Sequence, residues 1–263
     1  MKVLALDFDG VISDSAPEAF VVALRAYTDL RPKSRFANHL RNLEKRDGPT
    51  PEVIQGDRLY GDFVELMPLG NRAEDYAVVL TVLECGIRVP DQAAYDEQRA
   101  ARPPDFLEAF HRRFYRVRRD FRSDDPARWR ALLGPYPGLI ELLRRRAGDV
   151  ELAIATAKDR DSVGVLLGAY GIADLFPEDR ILDKEAGVSK RAHLEHLVTR
   201  LAVAPEALTF VDDKVNHLEE VADLGVRCAL AAWGYNGERE QRTARERGFL
   251  VCDLAHVEKQ LFD

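Results

Sequence analysis

Short apolar runs in this chain repeatedly end on polar residues, and the segments between them carry helical periodicity. Lys2-Val3-Leu4-Ala5-Leu6-Asp7-Phe8-Asp9-Gly10-Val11 is an apolar run that closes in Asp-x-Asp-Gly. Glu151-Leu152-Ala153-Ile154-Ala155 is a second run, followed by Thr156-Ala157-Lys158-Asp159, and Leu208-Thr209-Phe210-Val211 is a third, followed by Asp212-Asp213. Val226 to Ala231 and Phe249-Leu250-Val251 read as two more strands. Runs of this length bounded by turn residues are the mark of buried strands. Between them, Val163, Leu166, Leu167 and Tyr170 follow helical spacing up to Gly171. Ser189 to Leu201 forms an amphipathic segment with Ser189 placed as its N-cap, and another helix begins near Glu238. Strands alternating with helices of ten to fifteen residues predict right-handed βαβ units and a parallel sheet, an α/β fold of Rossmann-like type.

Residues from about 16 to 135 break the alternation. No strand pattern occurs there, and helical runs are predicted at 17–29, 34–46, 71–85 and 104–122. Joints containing Pro and Gly, such as Gly48-Pro49-Thr50-Pro51 and Arg102-Pro103-Pro104, separate them. Tyr76, Val79, Leu80 and Leu83 share one helical stripe. The reading is an all-helical block at 16–135 inserted into a catalytic core made of 1–15 and 136–263. Pro135-Tyr136-Pro137-Gly138 marks the return, and Gly134 and Gly138 could absorb backbone rotation at that joint.

Composition narrows the function class. The chain has 263 residues, 46% hydrophobic and 32% charged, which fits a soluble globular protein. No apolar stretch approaches the ~20 residues that span a bilayer, and no signal peptide pattern opens the chain. Cys85, Cys228 and Cys252 are odd in number and far apart, so they are expected to be buried thiols in a reducing cytoplasm. A net charge of −7 argues against a dedicated nucleic-acid binder.

The polar residues at the strand ends carry the chemistry. In an open parallel sheet, ligands bind at the C-terminal edge of the strands. Asp7/Asp9, Thr156 and Asp212/Asp213 all fall there. Two carboxylates crowded at the end of a buried strand repel each other unless a cation or a shared proton relieves them. A polar turn would also place Asp and Gly after a strand; two acidic pairs plus a threonine favour a site. A Mg²⁺ ion takes oxygen ligands and keeps several waters, so a few carboxylates from two strand ends suffice. It would draw in a phosphate and hold Asp7 ionised for in-line attack on phosphorus. The Thr156 hydroxyl suits a phosphate oxygen, with the Ala157 N–H as a second donor. Lys190 could reach the same edge and offset charge on both nucleophile and phosphate. Lys158 and Lys214 read as exposed, solvated lysines.

Asp-Phe-Asp-Gly-Val at 7–11, Ala155-Thr156-Ala157-Lys158, Lys190 and Val211-Asp212-Asp213 resemble the four ordered motifs of the haloacid dehalogenase superfamily. The resemblance spans the core, roughly 1–15 and 136–263. It implies that Asp7 is the phosphorylated nucleophile, Asp9 the general acid/base, Thr156 the second-motif hydroxyl and Lys190 the third-motif lysine. It further implies Mg²⁺ held by Asp7, the Asp9 carbonyl and Asp213, with Asp212 acting directly or through water. The block at 16–135 resembles the helical cap of the first cap class. Hydrolytic dehalogenases and phosphonatases of the superfamily typically lack the second Asp. Asp9 therefore points to a phosphomonoester hydrolase acting on a small phosphorylated metabolite. A phosphomutase and a non-catalytic phosphate-ligand-binding protein are the other readings.

One segment inside the helical block stands apart. His111 to Arg122 places Phe110, Phe114, Val117 and Phe121 on one face and arginines on the others. A solvated basic face is the plain reading; Arg113, Arg116 or Arg118 facing a substrate anion is the functional one, and a nucleic-acid contact is the third.

Overall fold

The computed structural model describes residues 2–262 apart from 46, 47, 71, 184 and 188. Eight strands occur among the described residues: β1 (Val3–Leu6), β2 (Ser13–Asp14), β3 (Gly134–Pro135), β4 (Glu151–Ala155), β5 (Ile181–Leu182), β6 (Leu208–Asp212), β7 (Arg227–Ala231) and β8 (Leu250–Cys252). Six of them form one sheet in the order β5-β4-β1-β6-β7-β8, every pair parallel. β2 and β3 form a separate antiparallel ribbon, with Ser13 opposite Pro135 and Asp14 opposite Gly134. The chain divides into two compact units, residues 1–14 with 134–263, and residues 15–133.

Burial on both faces explains why the strands read as continuous apolar runs. Val3, Ala5, Ala153, Ala155, Leu208, Phe210, Cys228 and Leu230 share one buried cluster with Leu194, Leu197, Leu218, Val221 and Ala244. Those partners come from the helices Lys190–Leu201, Val215–Val221 and Glu238–Glu246. The alternate residues Leu4, Leu6, Leu152, Ile154, Val211 and Ala229 point to the opposite face and are buried as well.

Helix limits follow local chemistry. Ser189 caps the helix Lys190–Leu201 by accepting from the Ala192 N–H at 3.2 Å. Gly171 ends the helix Arg160–Tyr170 in the left-handed region at φ 69°. The predicted joint at Gly138 is different: it lies inside the helix Pro137–Arg146, and neither Gly134 nor Gly138 takes a positive φ.

Among the described residues of the unit at 15–133, every regular element is a helix. Its main helices are Ala16–Leu30, Phe36–Leu43, Arg58–Leu66, Asp75–Cys85, Gln92–Ala100 and Pro104–Asp124, with short ones at Pro51–Gln55 and Pro126–Ala131. The four predicted runs are present, but the helices Pro51–Gln55, Arg58–Leu66, Gln92–Ala100 and Pro126–Ala131 went unpredicted, each spanning fewer than three full turns. Thr50 and Pro51, read as a joint, are instead the N-cap and first residue of a helix, a placement that suits both.

One buried carboxylate anchors this unit. Glu18 is fully buried in the first helix. It accepts from Arg118 Nε at 2.8 Å and a second guanidinium nitrogen at 2.6 Å, a two-pronged ion pair. Trp129 Nε1 donates to the same carboxylate at 3.2 Å, so Glu18 joins three helices. Arg118 also lies over the Phe114 ring, 4.6 Å from its centroid. Removing one partner of a buried pair strands the other charge. Glu18→Ala is expected to lower the unfolding free energy of the full chain by about 3 kcal/mol, whereas Glu108→Ala on the exposed surface should change it by less than about 0.5 kcal/mol. Urea unfolding of the two variants measures both, and equal effects would remove the anchor.

Candidate active site

Strand register places the central groups. Leu6 pairs with Ile154 on one side and Val211 on the other, so Asp7 is level with Ala155 and Asp212. The Asp7 N–H continues the ladder by donating to the Val211 carbonyl at 2.9 Å. Lys190, the first residue of its helix, reaches this level. Its ammonium lies 2.9 Å from Asp7 Oδ1 and 3.1 Å from Asp212 Oδ2, and it donates to the Ala155 carbonyl at 2.8 Å. Burial alone would lower the lysine's pKa; the carboxylates of Asp212 and Asp7 overcome it and hold the ammonium above the ordinary lysine range. Burial also opposes ionisation of Asp212, yet His217 and Lys190 hold its carboxyl well below the usual range. His217 Nδ1 sits 3.0 Å from Asp212 Oδ2, and the Lys214 N–H donates to Asp212 Oδ1 at 2.9 Å.

The turn after β1 sets the next two carboxylates. Gly10 adopts φ 80°, and its N–H donates to the Ser13 carbonyl at 2.8 Å. A Cβ at Gly10 would lie 2.3 Å from Asp213 Oδ2, so the glycine of Asp-x-Asp-Gly leaves room for the second acidic pair. Asp213 is almost fully buried and accepts from the Tyr235 N–H at 2.9 Å through Oδ2.

Lys158 departs from its sequence reading as a solvated lysine. It is buried, and its ammonium pairs with Asp9 Oδ1 at 2.9 Å. The turn Thr156-Ala157-Lys158 folds it inward, with the Lys158 N–H donating to Thr156 Oγ1 at 3.2 Å. Thr156 is buried at the end of β4, and Ala157 is exposed beside it. The following helix begins only at Arg160, capped by Asp159 accepting from the Ser162 N–H at 2.9 Å, so Ala157 lies two residues before the cap. The position of Lys158 two residues after a strand-end threonine was the available signal. Lys214 is half-buried.

Two of the three arginines singled out in the helical unit have local partners. Arg118 is committed to Glu18, and Arg113 Nε donates to Asp29 at 2.8 Å. Arg116 is exposed.

An acidic excess remains at the sheet edge. The buried Lys190 ammonium contacts the carboxylates of Asp7 and Asp212, and the buried Asp213 carboxylate adds a third negative group beside them. Burial pushes the carboxyls of Asp7 and Asp213 upward, and Asp212 adds repulsion to both. The contacts described take up Oδ1 of Asp7 and Oδ2 of Asp213, which leaves one oxygen of each for a cation. An all-oxygen, net-negative, buried set fits a hard divalent ion. Ligand atoms of Asp7, Asp212 and His217 also lie within 4.8 Å of one another. Two members of that cluster, Asp7 and Asp212, already contact the Lys190 ammonium, which offsets part of its charge.

The family comparison follows this geometry. The family model for haloacid dehalogenase-like hydrolases matches residues 1–225. A phosphoglycolate phosphatase of Synechococcus elongatus is 29% identical over 105 residues, 38% of this chain and 47% of that protein, so the match spans about half of the curated relative's length. Among solved structures, a predicted phosphoglycolate phosphatase from Haemophilus somnus is 19% identical with a TM-score of 0.63, covering 98% of this chain and 97% of that one. A haloacid dehalogenase-family hydrolase from Deinococcus radiodurans, with bound phosphate and sodium, is 18% identical with a TM-score of 0.57 over 99% and 95% of the two chains. At these identities the structural matches speak for the fold. With the family model covering most of its length, the chain belongs to the haloacid dehalogenase-like hydrolases.

Proposed function

We propose that this protein is a Mg²⁺-dependent phosphatase that hydrolyses a small phosphomonoester through an aspartyl-phosphate on Asp7. The observation that carries the reading is the pairing of two strand-end aspartates with two separate buried lysines, Asp7 with Lys190 and Asp9 with Lys158. Asp7 is buried against a fixed cation, as a nucleophile that must stay ionised requires. Asp9 is half-exposed, so its carboxyl can exchange a proton with a leaving group and then with water.

In the proposed sequence an Asp7 carboxylate oxygen attacks phosphorus while Asp9 protonates the departing alkoxide. Asp9, now a carboxylate, takes a proton from a water that attacks the aspartyl-phosphate. The P–O bond to Asp7 breaks, releasing phosphate and restoring both aspartates. In this reading Lys190 offsets the charge on Asp7 and on the phosphoryl oxygens, and the Thr156 hydroxyl and Ala157 N–H would donate to those oxygens. Asp7, Asp213 and the Asp9 carbonyl would hold the Mg²⁺, with Asp212 acting mainly through Lys190. When bound, the ion supplies charge neutralisation that lets the phosphate approach a carboxylate. The helical unit at 15–133 is assigned the part of the family's helical cap, with Arg116 as the arginine of the basic helix to test for substrate contact.

The substrate class is a small phosphorylated metabolite, and the name of the Synechococcus relative puts phosphoglycolate first among those to assay. A panel of phosphorylated metabolites with Mg²⁺, scored by released phosphate, tests the reading. No turnover of any member, nor of nitrophenyl phosphate, would reject it.

Two variants probe the division of labour. Asp7→Asn is expected to bring turnover to background with the fold retained. Asp9→Asn should cost about 10²–10⁴-fold on alkyl esters and less on nitrophenyl phosphate, whose leaving group needs no proton; equal losses at the chemical step would count against Asp9 as the acid.

Lys158→Met removes the ammonium from Asp9. Turnover of alkyl esters should fall by about 10²-fold, while Lys259→Met, at an exposed lysine, should leave it unchanged. Steady-state kinetics of both variants decide whether Lys158 belongs to the site.

A further inference from the structure

Past β7 the chain makes a tight turn, and consecutive residues of that turn converge on Asp213. The Gly234 N–H donates to the Ala231 carbonyl at 3.0 Å, which closes the turn. The Tyr235 N–H donates to Asp213 Oδ2 at 2.9 Å. Asn236 Nδ2 donates to the Asp213 carbonyl at 3.1 Å and to the Ala231 carbonyl at 2.8 Å, so one amide fixes the aspartate's backbone to the strand next door. A Cβ on Gly234 would come within 2.4 Å of both Asp213 Cβ and the Gly10 carbonyl, so the backbone there lies directly against the aspartate. Asp213 is thus held at its carboxylate, its Cβ and its carbonyl by one short segment. The same segment also reaches the residues after β1: Trp233 Nε1 donates to the Val11 carbonyl at 3.0 Å, and the Tyr235 hydroxyl donates to Asp14 Oδ1 at 3.2 Å.

This degree of restraint exceeds what a connecting turn needs. Cation affinity depends on groups that orient the ligands, because a carboxylate free to rotate must be ordered on binding. The bond to Oδ2 also sets which oxygen of Asp213 stays available.

We propose that the Trp233–Asn236 turn is the positioning element for Asp213, with Gly234 and Asn236 fixing the affinity of the site for its divalent cation. The inference rests on the reading of Asp213 as a cation ligand. None of these residues touches the reacting atoms in the proposed mechanism; they act through Asp213.

The test is titration of the full chain with Mg²⁺ alone, followed by calorimetry, with thermal unfolding recorded in chelator. Asn236→Ala adds no atoms and frees the Asp213 backbone, and its Kd for Mg²⁺ is expected to rise about 10-fold. Gly234→Ala would press on Asp213 Cβ and the Gly10 carbonyl and so displace the aspartate, and its Kd should rise about 100-fold. A purely structural role would lower the melting temperature or the fraction of binding-competent protein and leave Kd unaltered. That result in Asn236→Ala would overturn the proposal even if Gly234→Ala failed to fold. Absence of Mg²⁺ binding by the unaltered protein would instead overturn the reading of Asp213 as a ligand, and the proposal with it.

Discussion

The Lys190 ammonium touches Asp7, Asp212 and the Ala155 carbonyl, one group from each of three neighbouring strand ends, and the rest of the site is arranged around that contact. Two carboxylates at this depth could not both stay ionised without a fixed cation. The ammonium in turn could not be buried without them, since burying a lone charge costs several kcal/mol. Each element of the fold serves this mutual dependence. The parallel sheet brings the three strand ends level, and Ser189 starts the helix so that its first residue, the lysine, faces the edge. The helix dipole disfavours a cation at this position, and the two carboxylates outweigh it.

A second lysine–aspartate pair stands beside the first in a wetter setting. Lys158 with Asp9 repeats the chemistry of Lys190 with Asp7, but Asp9 keeps access to solvent. Two acids two residues apart are therefore placed in different surroundings by the Gly10 turn, which bends the chain after β1. In the proposed mechanism, those different surroundings would let Asp7 serve as nucleophile and Asp9 cycle a proton.

The sheet and the central groups were legible because both leave local signatures. Buried parallel strands read as unbroken apolar runs, and Asp7, Asp9, Thr156, Asp212 and Asp213 interrupt those runs at their ends. What escaped reading depended on long-range placement. β5 is two residues long, too short to show a pattern. Lys158 follows the strand-end threonine by two residues, but its partner Asp9 lies 149 positions earlier, so the pairing is invisible along the chain. The Trp233–Asn236 turn carries no motif visible along the chain; its meaning comes from Asp213, 22 positions before Tyr235. Arg118 misled in the opposite sense. Its helix reads as a basic face, yet Glu18, a hundred positions away, claims both prongs of its guanidinium.

The two-residue ribbon of β2 and β3 has a topological consequence. The chain departs after Asp14 and comes back at Gly134, and those two residues are opposite each other. Seen from the sheet, the whole block from Ser15 to Leu133 occupies the place of a hairpin loop. Loop-closure entropy rises only with the logarithm of loop length. Lengthening, shortening or exchanging the block therefore costs the sheet almost nothing, provided the ribbon still pairs. A sheet edge built this way can keep its lysines and aspartates fixed while what lies beyond the ribbon is replaced wholesale.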